Sequence, residues 1–418
     1  MARAVPRSRH GAPLRPGWRR DPVLKMRYAY IKNGDAVEQV RRILHAHAIE
    51  TSGPDAFIAD FLQARAADDV LVQSRWTTPD QFESGRVAAR GEASPAFLPR
   101  TLGRAWSAFA IALRTLRWRP DRILCGCTGE VLWASALVAR LLGVPIVHSR
   151  HNEIQQRRGI GRLSQSLDAW SMSRCTGLVC HGPFLAQQLR ELPGIRTVPH
   201  SFEVDLRPFA AVGAQVAAPA EIARIRTSHD TLFLFVGRVQ ADKGVFDLLD
   251  AFRQLPADVR QRAALIYAGG GVDLARLQER IAREGLTNAV VALRRIEHAA
   301  LPGLMRGCDF AVTPTRPEFP EGRCMVVLES LALGLPVIAP RFGPFPFAVE
   351  DGRNGLLYDA GNVGSLGECL ARVIRDGDLR VRLRSGAVAS SAATTPSATD
   401  FAEAVAQAFG ERNEGPAT

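Results

Sequence analysis

The chain has no long hydrophobic run, no second cysteine pair and no apolar stretch within residues 1–22, and each lack argues against a class of protein. The longest apolar stretch, VLWASALVARLLGVPIV, is broken by Arg140, Gly143 and Pro145. A spanning helix needs about 20 consecutive, predominantly apolar residues, so none is expected. Residues 1–22, MARAVPRSRHGAPLRPGWRRDP, are rich in Arg and Pro and lack the apolar centre of a secretory signal. They are expected to be a basic disordered tail. The seven cysteines are odd in number and scattered, and only Cys125 and Cys127 form a Cys-x-Cys. With no second pair at zinc-like spacing, no metal site is expected. Free, buried thiols in a reducing, cytosolic setting are expected instead. A recognition helix and aromatic–basic interleaving are also missing, which argues against a nucleic-acid partner.

What is present is enough chain for two cores. At 418 residues, two domains of about 150–200 residues each are expected. The charge is unevenly divided. Residues 1–207 carry 30 Lys and Arg against 18 Asp and Glu, a net of +12, while the remainder carries 23 against 24, a net of −1. All the basic excess lies in the first half, which suggests an anionic partner there.

Short β-rich runs alternate with helical patterns throughout. In the first half they are RYAYI (27–31), DVLVQS (69–74), RILCG (122–126), PIVHS (145–149), GLVCH (177–181) and RTVPH (196–200). In the second they are TLFLFVG (231–237), ALIYAGG (264–270), VVALR (290–294), DFAVTP (309–314) and PVIAP (336–340). Near-continuous apolar strands between helices predict an α/β protein with doubly wound parallel sheets. Residues 203–228 contain no convincing strand and read as an interdomain connection. The expected division is a tail over 1–22, Rossmann-like domains over 23–205 and 206–395, and a terminal helix and tail over 396–418. SGAVASSAATTPSATD (385–400) reads as the link to that helix. Two such domains facing each other would place a cleft at the C-terminal ends of both sheets.

Three stretches could line that cleft. FVGRVQADKGVFDLLDAF begins as a strand, turns, and enters an amphipathic helix, with Arg238 and Lys243 in the turn. Two cations and a helix N-terminus suit a pyrophosphate, although the same residues also suit a solvated loop. AGGG (268–271) signals a turn with close backbone approach. In EGRCMVVLESLALGLP, Glu329 lies inside a largely apolar helix, where a carboxylate needs a partner such as a ribose diol. Glu321 lies in the preceding loop, where the amides of Gly322, Arg323, Cys324 and Met325 can face phosphate or sugar oxygens. A first-turn acid and a surface acid are the plainer alternative for the two glutamates.

Glu321 and Glu329, separated by seven residues and followed by SLALGLPVIAP and EDGRNGLLYDAG, resemble the signature of the retaining nucleotide-sugar glycosyltransferases of family 4. FVGRVQADKG and PHSFEVD match that family in the same order. The resemblance implies a GT-B fold, with the C-terminal helix returning to the first domain. It implies that Glu329 binds the donor ribose, that Glu321 contacts the transferred sugar, and that Arg238 and Lys243 neutralise the diphosphate. It also implies that a histidine at the end of PIVHSRHN faces the donor sugar, His151 being the better match and His148 the competitor. No metal or other cofactor is implied. The donor would be UDP- or GDP-linked and the acceptor a glycan or lipid-linked species held by the first domain. The setting would be cytoplasmic, at the inner face of an anionic membrane.

Three departures stand out. The glycine pair after the first strand has Gly53-Pro54 as its nearest equivalent. Gly-Arg-Cys replaces the usual Gly-Phe-Gly after Glu321, which should crowd the loop. Phe347 stands where an acid is expected, and Glu318 is a third acid nearby. The altered loop and Phe347 keep a catalytically silent nucleotide-binding protein in view; a nucleotide-sugar 2-epimerase shares the fold, but the Glu321–Glu329 block argues against it.

Overall fold

In the computed structural model, the described residues are 25–32, 34–45, 54–76, 80–154, 160–213, 215–392 and 400–411. They contain fourteen strands in two sheets. The first sheet comprises β1 (Arg27–Lys32), β2 (Asp69–Trp76), β3 (Asp80–Ser84), β4 (Val87–Ala93), β5 (Arg122–Cys125), β6 (Ile146–Arg150), β7 (Gly177–His181) and β8 (Pro199–Phe202). Its strand order is β3-β4-β2-β1-β5-β6-β7-β8. The second comprises β9 (Thr231–Val236), β10 (Ala263–Ala268), β11 (Val290–Leu293), β12 (Phe310–Val312), β13 (Val337–Pro340) and β14 (Gly355–Tyr358). Its order is β11-β10-β9-β12-β13-β14.

Every pairing is parallel except β3 with β4. That hairpin turns at Gly85, whose φ of 57° favours glycine. Neither of its strands was legible in the sequence, because the edge strand DQFES and its neighbour VAARGEA both lack an apolar run. β14 was missed too, and the strand read as RTVPH (196–200) begins three residues later, at Pro199, and runs to Phe202. In each sheet the winding reverses beside a central strand, between β1 and β5 and between β9 and β12. Such switch points open a crevice at the strand C-termini.

Helices cover both faces of each sheet. In the first domain these are α1 (Ala36–His45), α2 (Pro54–Ala64), α3 (Arg100–Trp118), α4 (Glu130–Leu142), α5 (Ile160–Ser173) and α6 (Gly182–Glu191). α1 and α2 close one face around Tyr28, Tyr30, Phe61 and Val72. α3, α4, α5 and α6 close the other around Ile31, Ile123 and Leu178.

Beyond β8 come α7 (Arg207–Gly213) and α8 (Ala220–Arg226), then α9 (Val245–Arg253), α10 (Ala257–Arg260), α11 (Leu274–Arg283), α12 (Leu301–Arg306), α13 (Met325–Ala332), α14 (Val363–Arg375) and α15 (Gly377–Ala392). The expected strandless connection is therefore helical in part. Leu206, Phe209, Ile222 and Ile225 anchor it in the second domain's core. α15 also runs through residues 385–392, which read as a link, because its alanines are good helix formers.

The last helix, α16 (Phe401–Ala408), returns to the first domain and packs on β8, β7 and α2. Asp60 accepts from the Ala402 amide at 2.9 Å. Just beyond the helix, Glu411 accepts from Tyr28 Oη and from the fully buried Arg65, each at 3.0 Å. Arg122 also pairs with Glu411. A carboxylate held this way ties the end of the chain to β1, since buried ionic groups are retained where several partners satisfy them.

Candidate active site

The second domain builds its half of the site from the strand ends on either side of the β9–β12 switch point. β9 is apolar from Leu232 to its end at Val236, after which Gly237 turns the chain at φ 153°. Gly269 lies so close to the Gly237 carbonyl that a Cβ would overlap it, and Gly271 lies the same way against Val239. VGR and AGGG therefore pack backbone to backbone, which is why glycines stand there.

A 3-10 turn, Ala241–Lys243, then leads through Gly244 (φ 69°) into α9. Gly244 nests under the Pro314 carbonyl of the loop leaving β12. That contact fixes where Lys243 sits. Its Nζ donates to Glu321 Oε2 at 2.6 Å and lies 3.6 Å from the centre of the Phe319 ring. The guanidinium of the exposed Arg238 is 5.4 Å from the same ring. Phe319 thus serves as a platform for both cations, an attraction of about 0.5–2 kcal/mol each. Sequence reasoning missed it, since an isolated Phe in a loop carries no signal.

Glu321 is buried, and its loop runs directly into α13. Cys324 caps α13 with no side-chain hydrogen bond, so no capping side chain covers the positive end of the helix dipole. Met325 is the first helical residue, and burial pushes the Cys324 thiol up to about 12. Within α13, Glu329 is buried and its Oε1 lies 3.0 Å from His298 Nε2. A protein partner that the sequence did not reveal therefore stands beside the carboxylate. His298 leads the short turn before α12, and its ring lies 5.3 Å from Phe209. Glu318 is exposed on the same loop as Glu321.

The first domain contributes the end of β6. His148 lies within the strand, fully buried, with Nδ1 2.8 Å from the Cys125 carbonyl oxygen. A carbonyl only accepts, so Nδ1 carries the proton. His151 lies just beyond the strand end. Its Nε2 is 2.8 Å from Ser149 Oγ, its ring stacks on Phe57 at 5.2 Å, and its buried Nδ1 has no hydrogen-bond partner among the described residues. Burial first, then the charges of His148, Lys32 and Arg150, lower its pKa to about 4. The imidazole is neutral at pH 7 and presents a hydrogen-bonding nitrogen. Gly53, the expected glycine of this half, lies outside the described residues, as does the tail over 1–22.

The two halves meet at the loop after Glu321. Gly322 is buried against the His151 carbonyl, which a Cβ would overlap. Arg323 forks onto Glu203, at 3.2 Å through Nε and 2.8 Å through Nη2. Its Cδ fills the space over Gly182, where a Cβ would come within 2.9 Å. The arginine expected to crowd the loop is instead committed to an interdomain ion pair. Burial raises the Glu203 carboxyl despite the guanidinium, and burial together with Arg323 and His151 holds His181 well below its ordinary value. Glu153, also from the first domain, has its carboxyl raised by burial and then by the Glu321 charge. Phe347 packs on Phe184 at 5.7 Å, an apolar interdomain contact where an acid was expected.

His151 carries a pH signature. Its folded pKa, about 4, lies below the usual 6.5, so the unfolded chain binds more protons between those values. Stability is then present above pH 6.5 and lost as the pH falls toward 4. Urea denaturation at pH 7 and pH 5 is expected to show a smaller difference for His151→Gln than for the wild type. Equal differences would mean that the imidazole is not held neutral.

All seven cysteines are free, six of them buried. Among the described residues, no group of three or more His, Cys, Asp or Glu is placed to hold a metal ion. No helix among them is long and apolar enough to cross a membrane.

Two facing Rossmann-like domains with cations, acids and a helix N-terminus at their junction define a glycosyltransferase of the GT-B class. The model of Glycosyl transferases group 1 matches residues 221–389, and that of Glycosyltransferase Family 4 matches residues 51–206. Together they span more than three quarters of the chain, and the chain belongs to the family 4 glycosyltransferases.

A D-inositol 3-phosphate glycosyltransferase of Streptosporangium roseum is 30% identical over 295 residues, covering 65% of each chain. A 2-deoxystreptamine glucosyltransferase of Streptomyces kanamyceticus is 28% identical over 308 residues, 68% of this chain and 77% of that one. The chain spans 36%, 61% and 65% of the lengths of three D-inositol 3-phosphate glycosyltransferases that it matches. Among solved structures, Anabaena HepE in complex with UDP superposes with TM-score 0.66 at 18% identity, covering 93% of this chain and all of that one. The α,α-trehalose 6-phosphate synthase of Burkholderia multivorans does so with TM-score 0.68 at 15% identity, covering 93% and 98%.

Proposed function

We propose that the chain is a retaining glycosyltransferase that moves a hexosyl unit from a UDP- or GDP-sugar to a glycan or lipid-linked acceptor. One observation carries this reading. The Lys243–Glu321 pair at 2.6 Å lies at the mouth of α13, beside the first domain's His151 strand end, with buried Glu329 farther along the same helix.

In this reading the ribose hydroxyls donate to Glu329, and Arg238 and Lys243 face the diphosphate. Glu321 and the amides of Gly322, Arg323, Cys324 and Met325 meet the sugar and phosphate oxygens. His151 Nδ1 faces the sugar from the opposite domain. The acceptor hydroxyl attacks the anomeric carbon on the face the diphosphate leaves. The bond from that carbon to the phosphate oxygen breaks, and the departing oxygen takes the acceptor proton. No protein nucleophile or metal is required, so the protein's contribution is positioning and charge stabilisation.

Thermal stability measured with UDP, GDP, ADP and dTDP tests the donor. Stabilisation of about 2.7 kcal/mol is expected at about 100 times the dissociation constant. UDP-glucose is the first intact donor to try, since Anabaena HepE has been solved in complex with it. A rise with one nucleotide names the base, and no rise with any of them sinks the proposal. A nucleotide response without glycosyl transfer would favour the silent binder, a reading that the Phe347–Phe184 contact at the acid's expected position supports.

A further inference from the structure

Helix α3 is apolar on two opposite faces. Gly103, Ser107, Ala108, Ile111 and Thr115 are buried against the sheet side. Leu102, Trp106 and Phe109 recur at helical spacing on the opposite face and are 56%, 49% and 58% exposed. This inverts the usual pattern, in which the small and polar residues face water.

The neighbouring helices continue the outer face. α4 packs against both α3 and α5 and exposes Leu137 and Leu141, while α5 exposes Leu163 and Trp170. All three helices lie on one side of the sheet, so faces opposite their buried sides share one outward direction. Scattered exposed apolar residues need no explanation, but stripes on three adjacent helices form a contiguous patch that marks an interaction surface.

The charges around the patch are mainly basic. Arg104, Arg117, Arg140 and Arg174 are exposed on or beside these helices. The acids of the three helices are Glu130 and Asp168, and both are engaged. Glu130 pairs with Arg104 at 3.1 Å, and Asp168 accepts from the Gly129 amide and from Trp133 Nε1. Trp170 has the Arg174 guanidinium 5.4 Å from its ring centre.

We propose that the outer face of α3, α4 and α5 docks on an anionic lipid bilayer. Trp, Phe and Leu set among arginines form the combination that enters the headgroup boundary while cations meet lipid phosphates. A second copy of the chain is the poorer fit, because a two-fold contact would bring these arginines against one another. α3 follows β4 and α5 follows β6, so Leu102 and Leu163 stand at the end of the helical layer nearest the strand C-termini. A docked bilayer would therefore lie alongside the cleft rim, within reach of a lipid-borne acceptor. The docking itself is independent of the donor reading, because it is measured without nucleotide.

The test is co-sedimentation of the full chain with phosphatidylcholine vesicles, plain or containing about one third phosphatidylglycerol. The comparison is with Trp106→Ser/Phe109→Ser/Trp170→Ser, and Val272→Ser/Val381→Ser on the second domain serves as the surface control. The wild type and the control are expected to bind the anionic vesicles, less so as salt is raised. The triple variant is expected to bind at least about tenfold more weakly with an unchanged melting temperature. Three results would overturn the proposal. One is wild-type binding no stronger than to plain vesicles. Another is equal binding by the triple variant, which would assign the affinity to basic residues elsewhere. The third is failure to bind vesicles together with a dimer that the triple variant dissolves.

Discussion

Lys243→Ala is expected to lose both stability and turnover, and the two losses should separate in a second variant. The Lys243 and Glu321 side chains are only 16% and 11% exposed. Removing the ammonium leaves a desolvated carboxylate beside the cation-binding ring of Phe319 and near the Glu153 carboxyl. Breaking one side of a buried pair costs about 3–5 kcal/mol. Removing a group aimed at departing charge costs about 10²–10³ in kcat.

In Lys243→Ala/Glu321→Gln the unpaired charge is gone, so most of the stability should return in urea denaturation. Activity should not return, because in the proposed reading the diphosphate still lacks one of its two cations and the sugar has also lost the Glu321 carboxylate. Recovery of both in the double variant would show that Lys243 serves Glu321 alone. Unchanged turnover in Lys243→Ala would remove the lysine from the reaction altogether.

Glu329→Ala should abolish nucleotide-induced stabilisation while leaving the fold intact. Two hydroxyls donating to one carboxylate make charge-assisted hydrogen bonds worth about 1.5–3 kcal/mol each. Their loss predicts an affinity drop of about 10²-fold or more, and hence no thermal shift at nucleotide concentrations that stabilise the wild type. The His298 contact at 3.0 Å supplies the competing explanation, in which Glu329 only fixes the turn before α12. His298→Ala distinguishes them. A ribose-binding carboxylate survives that change with its nucleotide shift largely retained. If Glu329→Ala keeps the full shift, the carboxylate is a structural partner of His298 and the ribose is held elsewhere.

The elements legible in the sequence were those whose signal is local. Eleven β-runs were read from apolar continuity, and all eleven occur, because strands covered on both faces must be apolar whatever the tertiary arrangement. The elements missed were β3, β4 and β14. β3 is the edge strand and β4 lies next to it, and neither DQFES nor VAARGEA carries the apolar run that marks the central strands. β14, GLLY, is too short to stand out from the turn-rich EDGRNG that precedes it. The alanine-rich stretch before α16 was read as a link because small residues suit linkers and helices alike. Packing of α15 against α13 and α14 resolved that ambiguity.

The site divides in the same way. Spacing in the chain drew attention to Glu321, Glu329, Arg238 and Lys243, an acid in an apolar helix, an acid in the loop before it and cations in a strand–helix turn, and the family resemblance supplied their expected roles. Glu203, Phe319, His298 and Glu153 were not singled out, because each is an ordinary loop or turn residue until its neighbour is known. Arg323 was visible as a departure, but its effect was not. The sequence shows a bulky side chain in a glycine-rich loop, and only the fold shows Gly182 leaving room for it and Glu203 receiving it, 120 residues away.

By itself, then, the sequence determined the two α/β layers, the order of the strands along the chain and the family signature. These depend on periodicity and on residues close in the chain. The tertiary structure alone decided that His148 is core and His151 lies at the strand end. It alone decided that Lys243 meets Glu321, and that one helical face of the first domain turns large apolar residues outward. Each of those depends on which distant segment occupies the adjoining space, and close packing sets that only when the whole chain is folded.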